Sequence, residues 1–246
     1  KDTKTDPIRN FLSEITIKEH FKSIICEYIT TADLIRDIDK NIMKILDTHD
    51  IMSKRENIYK RYGRDHHINV SESAELRIFS SFDAVMAIQK NDEIYLRDNL
   101  KDTDVLLNPH PSTNVNLFKQ RPAKRIVYVA GSNPANCDSI RWFLNKVWIH
   151  FKDSNVELHI WGSITNSIKN YANENTILHG FIDDVYKVYA FGDIVINPVL
   201  YGGGLKIKTV ESMGYGMPLI TTYEGANGLL ELTDKAFLVA DDPISF

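Results

Sequence analysis

The chain has few cysteines, no long apolar run and no excess of positive charge. Its two cysteines, Cys26 and Cys137, match neither a zinc-binding spacing nor a disulfide framework, which favours a reducing, cytoplasmic location. No apolar stretch approaches the roughly 20 residues that span a membrane. With a net charge of −4 and a pI near 6.1, the chain lacks the positive excess that neutralises nucleic-acid phosphates, so we expect no nucleic-acid partner.

What is present is a regular alternation of strand and helix patterns. The chain has 246 residues, of which 43% are hydrophobic, enough to bury a core in one or two domains. Strands are predicted at 23–28, 41–47, 83–88, 104–107, 125–130, 156–161, 177–181, 193–197, 218–222 and 236–240. Helices are predicted at 32–36, 71–82, 93–96, 138–151, 185–190 and 207–215, and residues 1–20 show no clear period. This alternation predicts an α/β fold with parallel sheets. We predict a first domain at 1–115, a linker at 116–124 and a second domain at 125–246.

A glycine run at residues 202–204 lies between a predicted strand and a predicted helix, and Lys206 and Lys208 follow it. Glycines let the backbone approach an anion closely, and the free N–H groups at a helix start point toward it. Lysines at a helix start oppose the helix dipole unless an anion is present. The combination predicts a phosphate or diphosphate site; the alternative is a flexible loop with solvated lysines.

Glu211 lies about one turn into the helix that follows the glycine run. From there a carboxylate can accept two hydrogen bonds from the vicinal hydroxyls of a ribose. The alternative is a glutamate on the helix surface that pairs with a nearby lysine.

Four segments of the second half carry a family resemblance. They are RIVYVAGSNPAN (125–136), HGFIDD (179–184), INPVLYGGGLKIKTVESMGYGMPLITT (196–222) and EGANGL (224–229). In order and spacing they resemble the donor half of the family-4 (group 1) glycosyltransferases of the GT-B fold. The first half resembles the end of the family's acceptor lobe, through ILDTHDIMSKR (45–55) and SSFDAVMAIQKNDE (80–93). The resemblance implies two Rossmann-like lobes, both incomplete in this chain, the second truncated at its end.

The resemblance also implies which residues bind the nucleotide sugar. Glu211 matches the second glutamate of the family's E-x7-E motif, which holds the ribose, whereas the first glutamate falls at Gly203 and is missing. The backbone near Phe181 and Ile182 would face the base. The predicted donor-binding residues are Gly131, Ser132, Phe181, Ile182, Gly203, Gly204, Leu205 and Glu211.

The loop that contains Gly131 and Ser132 lacks the Arg and Lys that often bind the diphosphate in this family. A departing nucleoside diphosphate still needs charge stabilisation when no metal is present. We therefore predict that Lys206 and Lys208 supply it, with at least one in direct contact. We favour Lys206, because it is nearer the glycines.

His49, in the sequence Asp47-Thr48-His49-Asp50, follows a predicted strand, where α/β proteins usually bind ligands. It is similar to the acceptor-lobe histidine that reaches the transferred sugar in the family. Two alternatives stay open, a structural histidine bonded to one of the aspartates and a metal ligand beside them. The candidate catalytic residues are His49, Lys206 and Lys208, and we expect no metal and no cofactor apart from the nucleotide-sugar substrate.

The stretch at 54–64 is strongly basic and has aromatic residues between its charges. Anionic lipid attracts such clusters, so one interpretation is peripheral contact with a membrane. The alternative is a solvated surface helix or loop. The predicted location is the cytoplasm, with attachment to the membrane surface if the first interpretation holds.

These features predict a glycosyltransferase that moves a sugar from a nucleotide-diphosphate sugar to a growing glycan or a lipid-linked saccharide. The resemblance implies that the anomeric configuration is retained. One alternative is a non-catalytic nucleotide-sugar-binding module, which the missing glutamate at Gly203 favours. A nicotinamide-dependent oxidoreductase is disfavoured, because the first turn of the second half lacks G-x-G-x-x-G.

Overall fold

The structure is a computed structural model that describes residues 6–246. The chain divides into two compact units. Of the described residues, the first contains 6–109 together with Gly203–Leu205, and the second contains His110–Gly202 and Lys206–Phe246. Each unit has its own parallel sheet with helices packed on it, so the predicted α/β class is confirmed.

The first unit is built on four short strands. Its elements are α1 (Asp6–Lys18), β1 (Ser23–Glu27), a 3-10 helix (Ile29–Ile35), β2 (Met43–Asp47), α2 (Met52–Arg61), α3 (Glu72–Phe79), β3 (Ala84–Ala87), α4 (Lys90–Asn99) and β4 (Asp104–Leu107). The strands pair in parallel in the order β1-β2-β3-β4. Leu46 and Val85 at the sheet centre and Phe79 and Leu96 on the helices are fully buried in one apolar core.

Helix α2 covers most of the basic stretch, and a carboxylate from another helix fixes its start. Buried Glu75 of α3 accepts hydrogen bonds from the backbone N–H groups of Met52 (2.7 Å) and Ser53 (2.9 Å). The first N–H groups of a helix have no partner within it, and a negative charge there also complements the helix dipole. This contact orients α2 directly after the end of β2.

The second unit is built on six strands. Its strands and α-helices are β5 (Arg125–Val129), α5 (Pro134–Lys146), β6 (Glu157–Trp161), β7 (Thr176–Gly180), α6 (Val185–Phe191), β8 (Ile194–Asn197), α7 (Ile207–Gly214), β9 (Leu219–Thr221) and β10 (Leu238–Val239). Its 3-10 helices are Trp148–Phe151, Ser163–Ser167, Lys169–Tyr171, Glu224–Ala226 and Leu230–Leu232. The strands pair in parallel in the order β10-β9-β8-β5-β6-β7, so β5, the first strand in sequence, lies near the centre.

The segment predicted as a linker, residues 116–124, groups with the second unit. The backbone N–H groups of Val115 and Leu117 donate to the carbonyl oxygens of Gly214 and Tyr215, both at 2.9 Å. These backbone bonds join residues far apart in the chain, so the composition of the segment does not indicate them.

Buried Asp193, between α6 and β8, holds the chain just before β5. Its Oδ1 accepts a hydrogen bond from the Arg121 guanidinium at 2.6 Å. Its Oδ2 accepts from the backbone N–H groups of Lys124 at 3.1 Å and Arg125 at 3.0 Å. One carboxylate therefore fixes where the segment ends and the central strand begins.

Replacing Asp193 with Ala should lower the free energy of unfolding by about 1.5–3 kcal/mol, because two backbone N–H groups and the Arg121 guanidinium lose their charged, buried acceptor. The loss is measured by urea denaturation. Asp153, exposed on a loop, gives the matched control, for which Asp153→Ala should change stability by less than about 0.5 kcal/mol. Equal effects of the two variants would contradict the anchoring role of Asp193.

Two local predictions are wrong. No helix was predicted in residues 1–20, yet α1 spans Asp6–Lys18. Ile8, Phe11, Leu12 and Ile15 do recur at helical spacing, and this pattern was overlooked. The helix predicted at 138–151 is α5 followed by a 3-10 turn. Helix α5 starts earlier because Asn133 caps it, accepting from the N–H of Asn136 at 2.9 Å, and Pro134 occupies its first turn.

Candidate functional site

Strand β5 marks the switch point of the second unit's sheet. It pairs with β6 on one side and with β8 on the other. The loops that follow β5 and β8 lead into α5 and α7. Open α/β sheets bind ligands outside the carboxyl ends of their strands at such a point. Gly131, Ser132, Lys206 and Lys208, all predicted from sequence, lie on these two connections or at their helix starts.

Two hydrogen bonds tie the loop after β8 to the start of α5. The hydroxyl of Tyr201 donates to Oδ2 of Asp138 at 2.6 Å. The backbone N–H of Leu200 donates to Oγ of Ser139 at 3.0 Å. All four residues lie outside the set predicted from sequence, since contacts between residues this far apart in the chain have no local signature. They hold the two loops together.

Helix α7 begins at Ile207 without a side-chain cap. Gly204, three residues before it, has a left-handed backbone with φ of 63°, which a residue with a Cβ rarely adopts. The first N–H groups of the helix have no intrahelical partner, and the positive end of its dipole lies here. The start of α7 is therefore suited to an anion.

Gly203, Gly204 and Leu205 group with the first unit. A Cβ on Gly203 would lie 2.5 Å from Oδ2 of Asp50 and 2.9 Å from Cβ of Arg55. A glutamate, the residue expected at this position from the family motif, does not fit in the space as packed. Close packing by Asp50 and Arg55 within the first unit therefore explains why position 203 is a glycine.

Lys206 is buried, and its charge is compensated within the second unit. Its Nζ lies 3.0 Å from Oε1 of Glu224 and 3.2 Å from the carbonyl oxygen of Gly202. Sequence reasoning did not single out Glu224. The sequence indicated Glu224 only through its position in the segment EGANGL, which is part of the family resemblance.

Lys208 points toward α5 and has a different environment. Its Nζ donates to Oδ1 of Asn136 at 3.3 Å and lies 5.9 Å from the centroid of the Tyr128 ring. Burial lowers the pKa of Lys208 to about 8, a shift that Glu211 opposes and Lys206 reinforces. A desolvated ammonium beside a neutral amide and an aromatic ring is a group that an anionic ligand would stabilise.

Glu211 lies one turn further along α7 and is held in place by an aromatic pair. The hydroxyl of Tyr189 donates to Oε2 of Glu211 at 2.9 Å, and the Tyr189 ring stacks on Tyr215 with 4.7 Å between centroids. Burial and this carboxylate together raise the pKa of Tyr189, so the phenol stays protonated as a donor. The carboxylate is oriented, and an ionised carboxylate has acceptor positions beyond the one that Tyr189 occupies.

Gly131 and Ser132 are fixed by neighbouring side chains. The backbone N–H of Ser132 donates to Oγ of Ser163 at 3.1 Å. The side-chain amide of Asn136 donates to the carbonyl oxygen of Gly131 at 2.9 Å. Asn136 therefore contacts both Gly131 and Lys208, which links the loop after β5 to the start of α7.

Phe181 and Ile182 follow β7, two strands from β5 in the sheet. The Phe181 side chain is 84% exposed, whereas Ile182 packs against the apolar core beneath it. Whether their backbone meets a base stays a prediction.

His49 lies in the first unit, just past the end of β2. Its ring stacks on Tyr28, with 4.3 Å between centroids and 20° between planes. Its Nε2 lies 3.7 Å from Oε2 of Glu27 and 3.9 Å from Oδ1 of Asp47. Sequence reasoning considered Asp47 as its partner but missed Glu27 and Tyr28. Over residues 6–246 the side chains form no cluster of three or more potential metal ligands.

Basic side chains of the stretch at 54–64 are engaged within the first unit. Nζ of Lys54 lies 3.4 Å from the centroid of the Tyr95 ring, and the Arg55 guanidinium lies 3.3 Å from Oδ2 of Asp50. Lys60 pairs with Glu56. In the described part of the chain no helix is both long enough and apolar enough to cross a membrane.

Sequence comparisons find similar proteins. A model of the family described as "Glycosyl transferases group 1" matches residues 123–246. A 44.6 kDa uncharacterised protein in the cps region of Klebsiella pneumoniae is 21% identical over 266 residues, which cover 97% of this chain and 66% of that protein.

Solved structures share the fold at low sequence identity. A variant of TarM from S. aureus, crystallised with fondaparinux, alpha-GlcNAc-glycerol and UDP, aligns with a TM-score of 0.71 at 16% identity, over 96% of this chain and 49% of that one. Sucrose-phosphate synthase from Thermosynechococcus elongatus aligns with a TM-score of 0.70 at 16% identity, over 100% of this chain and 68% of that one. The chain thus spans about half the length of TarM and 66% of the Klebsiella protein.

Proposed function

Because the chain belongs to the group 1 glycosyl transferases, whose family model matches residues 123–246, we propose that the protein transfers a sugar from a nucleoside-diphosphate sugar to a saccharide acceptor. A growing glycan or a lipid-linked saccharide is the acceptor class that we propose. A relative in a cps region and a structural neighbour crystallised with UDP and alpha-GlcNAc-glycerol support this choice. The comparisons do not favour a non-catalytic binding module.

The observation that carries the proposal is the placement of Lys208 and Glu211 at the switch point of the second unit. Residues three apart share one face of a helix, with about 5–6 Å between their Cβ atoms. An ammonium at the helix start and a carboxylate one turn later match two adjacent parts of a nucleoside diphosphate. The ammonium and the helix N-terminus suit the diphosphate, and the carboxylate suits the ribose hydroxyls.

Of the two lysines, Lys208 is the better candidate for the diphosphate. The ion pair with Glu224 already compensates the charge of Lys206. The Lys208 ammonium instead lies beside the neutral amide of Asn136, and burial makes its charge costly until an anion approaches. Lys206 instead stabilises the conformation of the glycine run, because its ammonium donates a hydrogen bond to the carbonyl oxygen of Gly202.

The proposed chemistry places the developing negative charge where these groups converge. The acceptor hydroxyl oxygen bonds to the anomeric carbon, the bond from that carbon to the diphosphate oxygen breaks, and the electron pair stays on the diphosphate. We propose that the proton of the acceptor hydroxyl passes to the departing diphosphate oxygen and that the anomeric configuration is retained. Lys208 and the start of α7 stabilise the leaving group more than the bound substrate, which lowers the barrier. His49 stays a predicted sugar contact.

The test is a binding and turnover panel. Calorimetry with UDP, GDP and dTDP should show tight binding of at least one nucleotide, and at 100 times its Kd that nucleotide should raise the free energy of unfolding by about 2.7 kcal/mol. The corresponding nucleotide sugar should release the nucleotide faster when a saccharide acceptor is added. NAD serves as the negative control. Failure of all three nucleotides to bind at millimolar concentration would overturn the proposal.

A further inference from the structure

The two lysines at the start of α7 meet acceptors of different charge. Nζ of Lys206 lies 3.0 Å from the Glu224 carboxylate. Nζ of Lys208 instead donates at 3.3 Å to Oδ1 of Asn136, a residue in the first turn of α5. In the described part of the chain no carboxylate forms an ion pair with Lys208. The side chain at position 136 is therefore the acceptor that directs this ammonium.

The Asn136 amide is itself fixed by contacts within the second unit. Its side-chain N–H group donates to the carbonyl oxygen of Gly131 at 2.9 Å. Because a carbonyl oxygen only accepts, the amide nitrogen faces Gly131 and the amide oxygen faces Lys208. The backbone N–H of Asn136 donates to Oδ1 of Asn133 at 2.9 Å, which holds the residue in the first turn of α5. These contacts aim the Asn136 oxygen at Lys208.

The charges that act on Lys208 come from its own helix and from the residues just before it. Burial lowers the pKa of Lys208 to about 8, Glu211 one turn along α7 opposes this shift, and Lys206 reinforces it. The ammonium is thus close to losing its proton near neutral pH. A change of charge at its acceptor should therefore move its titration measurably.

The elements packed against Lys208 present neutral groups to it. From β5 comes the ring of Tyr128, whose centroid lies 5.9 Å from Nζ and whose pKa is raised by burial, so that its hydroxyl keeps its proton. From α5 comes the amide of Asn136. The first two turns of α5 also carry the Cys137 thiol and the Asp138 carboxylate, which form hydrogen bonds to the loops after β5 and β8.

An amide at position 136 orients the ammonium without neutralising it. A carboxylate there would form an ion pair with Lys208, as Glu224 does with Lys206, and its charge would also repel a diphosphate. An apolar side chain would leave the buried ammonium without its acceptor, which makes its charge more costly. A neutral acceptor both holds Lys208 in place and leaves its charge for an anion.

We infer that Asn136 is a positioning residue of the site, whose amide directs the Lys208 ammonium toward the loop after β5 and leaves its charge to pair with the diphosphate. This inference rests on the proposed function. It adds a residue that acts through Lys208 and that sets both the place and the charge of the group that meets the diphosphate.

The first measurement is the pKa of Lys208, taken from an NMR titration of ¹³C-labelled lysine side chains in the ligand-free protein, with Lys208→Arg to assign the signal. Asn136→Asp should raise this pKa above about 9, because an opposite charge favours the protonated form, and Asn136→Leu should lower it below the wild-type value. Asp and Leu are both similar to Asn in size, and both lack the N–H group that donates to Gly131. Any effect transmitted through that loop is therefore common to the two variants.

The second measurement is the affinity for UDP, GDP and dTDP, by calorimetry on both sides of pH 8. For the nucleotide that wild type binds, Asn136→Asp should weaken binding at least about tenfold at neutral pH and abolish the decline above pH 8, and Asn136→Leu should move the start of the decline to lower pH. Asn145→Asp is the matched control. Asn145 is exposed on the same helix, about 13 Å further along it, so the added charge should change the affinity by less than about twofold.

Opposite shifts of the Lys208 pKa in the two Asn136 variants support the inference, because a purely structural role does not predict them. Shifts in the same direction, or none, would overturn it, as would wild-type nucleotide affinity in Asn136→Asp. Absence of nucleotide binding in the wild type would count against the proposed function, and inorganic pyrophosphate then becomes the probe. Pyrophosphate that binds Asn136→Asp as well as wild type, or that fails to bind wild type at millimolar concentration, would overturn the inference too.

Discussion

Lys208→Met should lower kcat for sugar transfer by about 10²- to 10³-fold, with a much smaller change in KM for the nucleotide sugar. The charge that Lys208 meets grows as the diphosphate departs, so its loss weakens the transition state more than the bound substrate. Methionine has a similar length and no charge, and it keeps the packing near Tyr128. Steady-state kinetics with the cognate nucleotide sugar measure the effect.

Lys146→Met is the matched control. Lys146 is exposed in the last turn of α5, and its loss should leave both constants within about twofold of wild type, as for most surface substitutions. Lys206→Met tests the other lysine. It should lower the stability of the protein, because the ion pair with Glu224 is lost, and it should also lower the rate of transfer. Turnover near wild type in the double variant of Lys206 and Lys208 would refute the phosphate site.

The lowered pKa of Lys208 gives a second readout. In the ligand-free protein this lysine loses its proton as the pH passes about 8, compared with an ordinary value of 10.5. Nucleotide affinity should therefore fall as the pH rises above about 8, by up to about tenfold per pH unit, because binding then requires proton uptake. Lys208→Arg keeps its charge and should remove this decline. Between about pH 8 and pH 10.5 the Lys208 side chain is neutral in the folded protein and protonated in the unfolded chain. The contribution of Lys208 to the free energy of unfolding therefore rises with pH in this range.

Glu211→Gln should weaken binding of the cognate nucleoside diphosphate about ten- to a hundredfold, because a charged acceptor for two hydroxyls becomes a neutral one. Titration calorimetry with the nucleotide measures the loss. Binding of the 2′-deoxy nucleotide tests whether the lost contact is to the ribose. Wild type should bind the deoxy form more weakly than the ribose form, and Glu211→Gln should bind the two forms with equal affinity.

Tyr189→Phe distinguishes the orientation of the Glu211 carboxylate from its direct contact with the ribose. It removes the hydroxyl that holds Oε2 of Glu211 but keeps the carboxylate and the ring that stacks on Tyr215. We expect an affinity loss smaller than that of Glu211→Gln and continued discrimination against the deoxy nucleotide. Unchanged affinity in Glu211→Gln would mean that the ribose assignment is wrong.

The sequence predicted the sheets well because their signal is local. The apolar runs that became β2 and β5 are short, continuous and bounded by polar turns, so the parallel α/β class followed directly. The glycine run and the helix after it were equally visible. Helix α1 was missed although Ile8, Phe11, Leu12 and Ile15 recur at helical spacing.

The partners within the site were not predictable in the same way. The pair of Lys206 with Glu224 and the bond from Tyr189 to Glu211 join residues that only the folded sheet brings together. The left-handed backbone of Tyr28 runs against the preference of tyrosine, so propensity could not indicate it. Lys206 was preferred as the diphosphate ligand because it is near the glycines in sequence. Its ion pair with Glu224 is visible only in the folded structure, and that pair is the reason that Lys208 is now the better candidate.

The bonds that tie the loop after β8 to α5 also bear on the order in which the second unit assembles. They join residues 61 and 63 positions apart, and the contact of Lys208 with Asn136 spans 72. Closing so long a segment is entropically slow, and Tyr201 reaches Asp138 only after β8 has paired with β5. The switch point is therefore among the last parts of this unit to form. Helix content should return early in refolding, and the capacity to bind a nucleotide should lag behind it by the time the central strands take to dock.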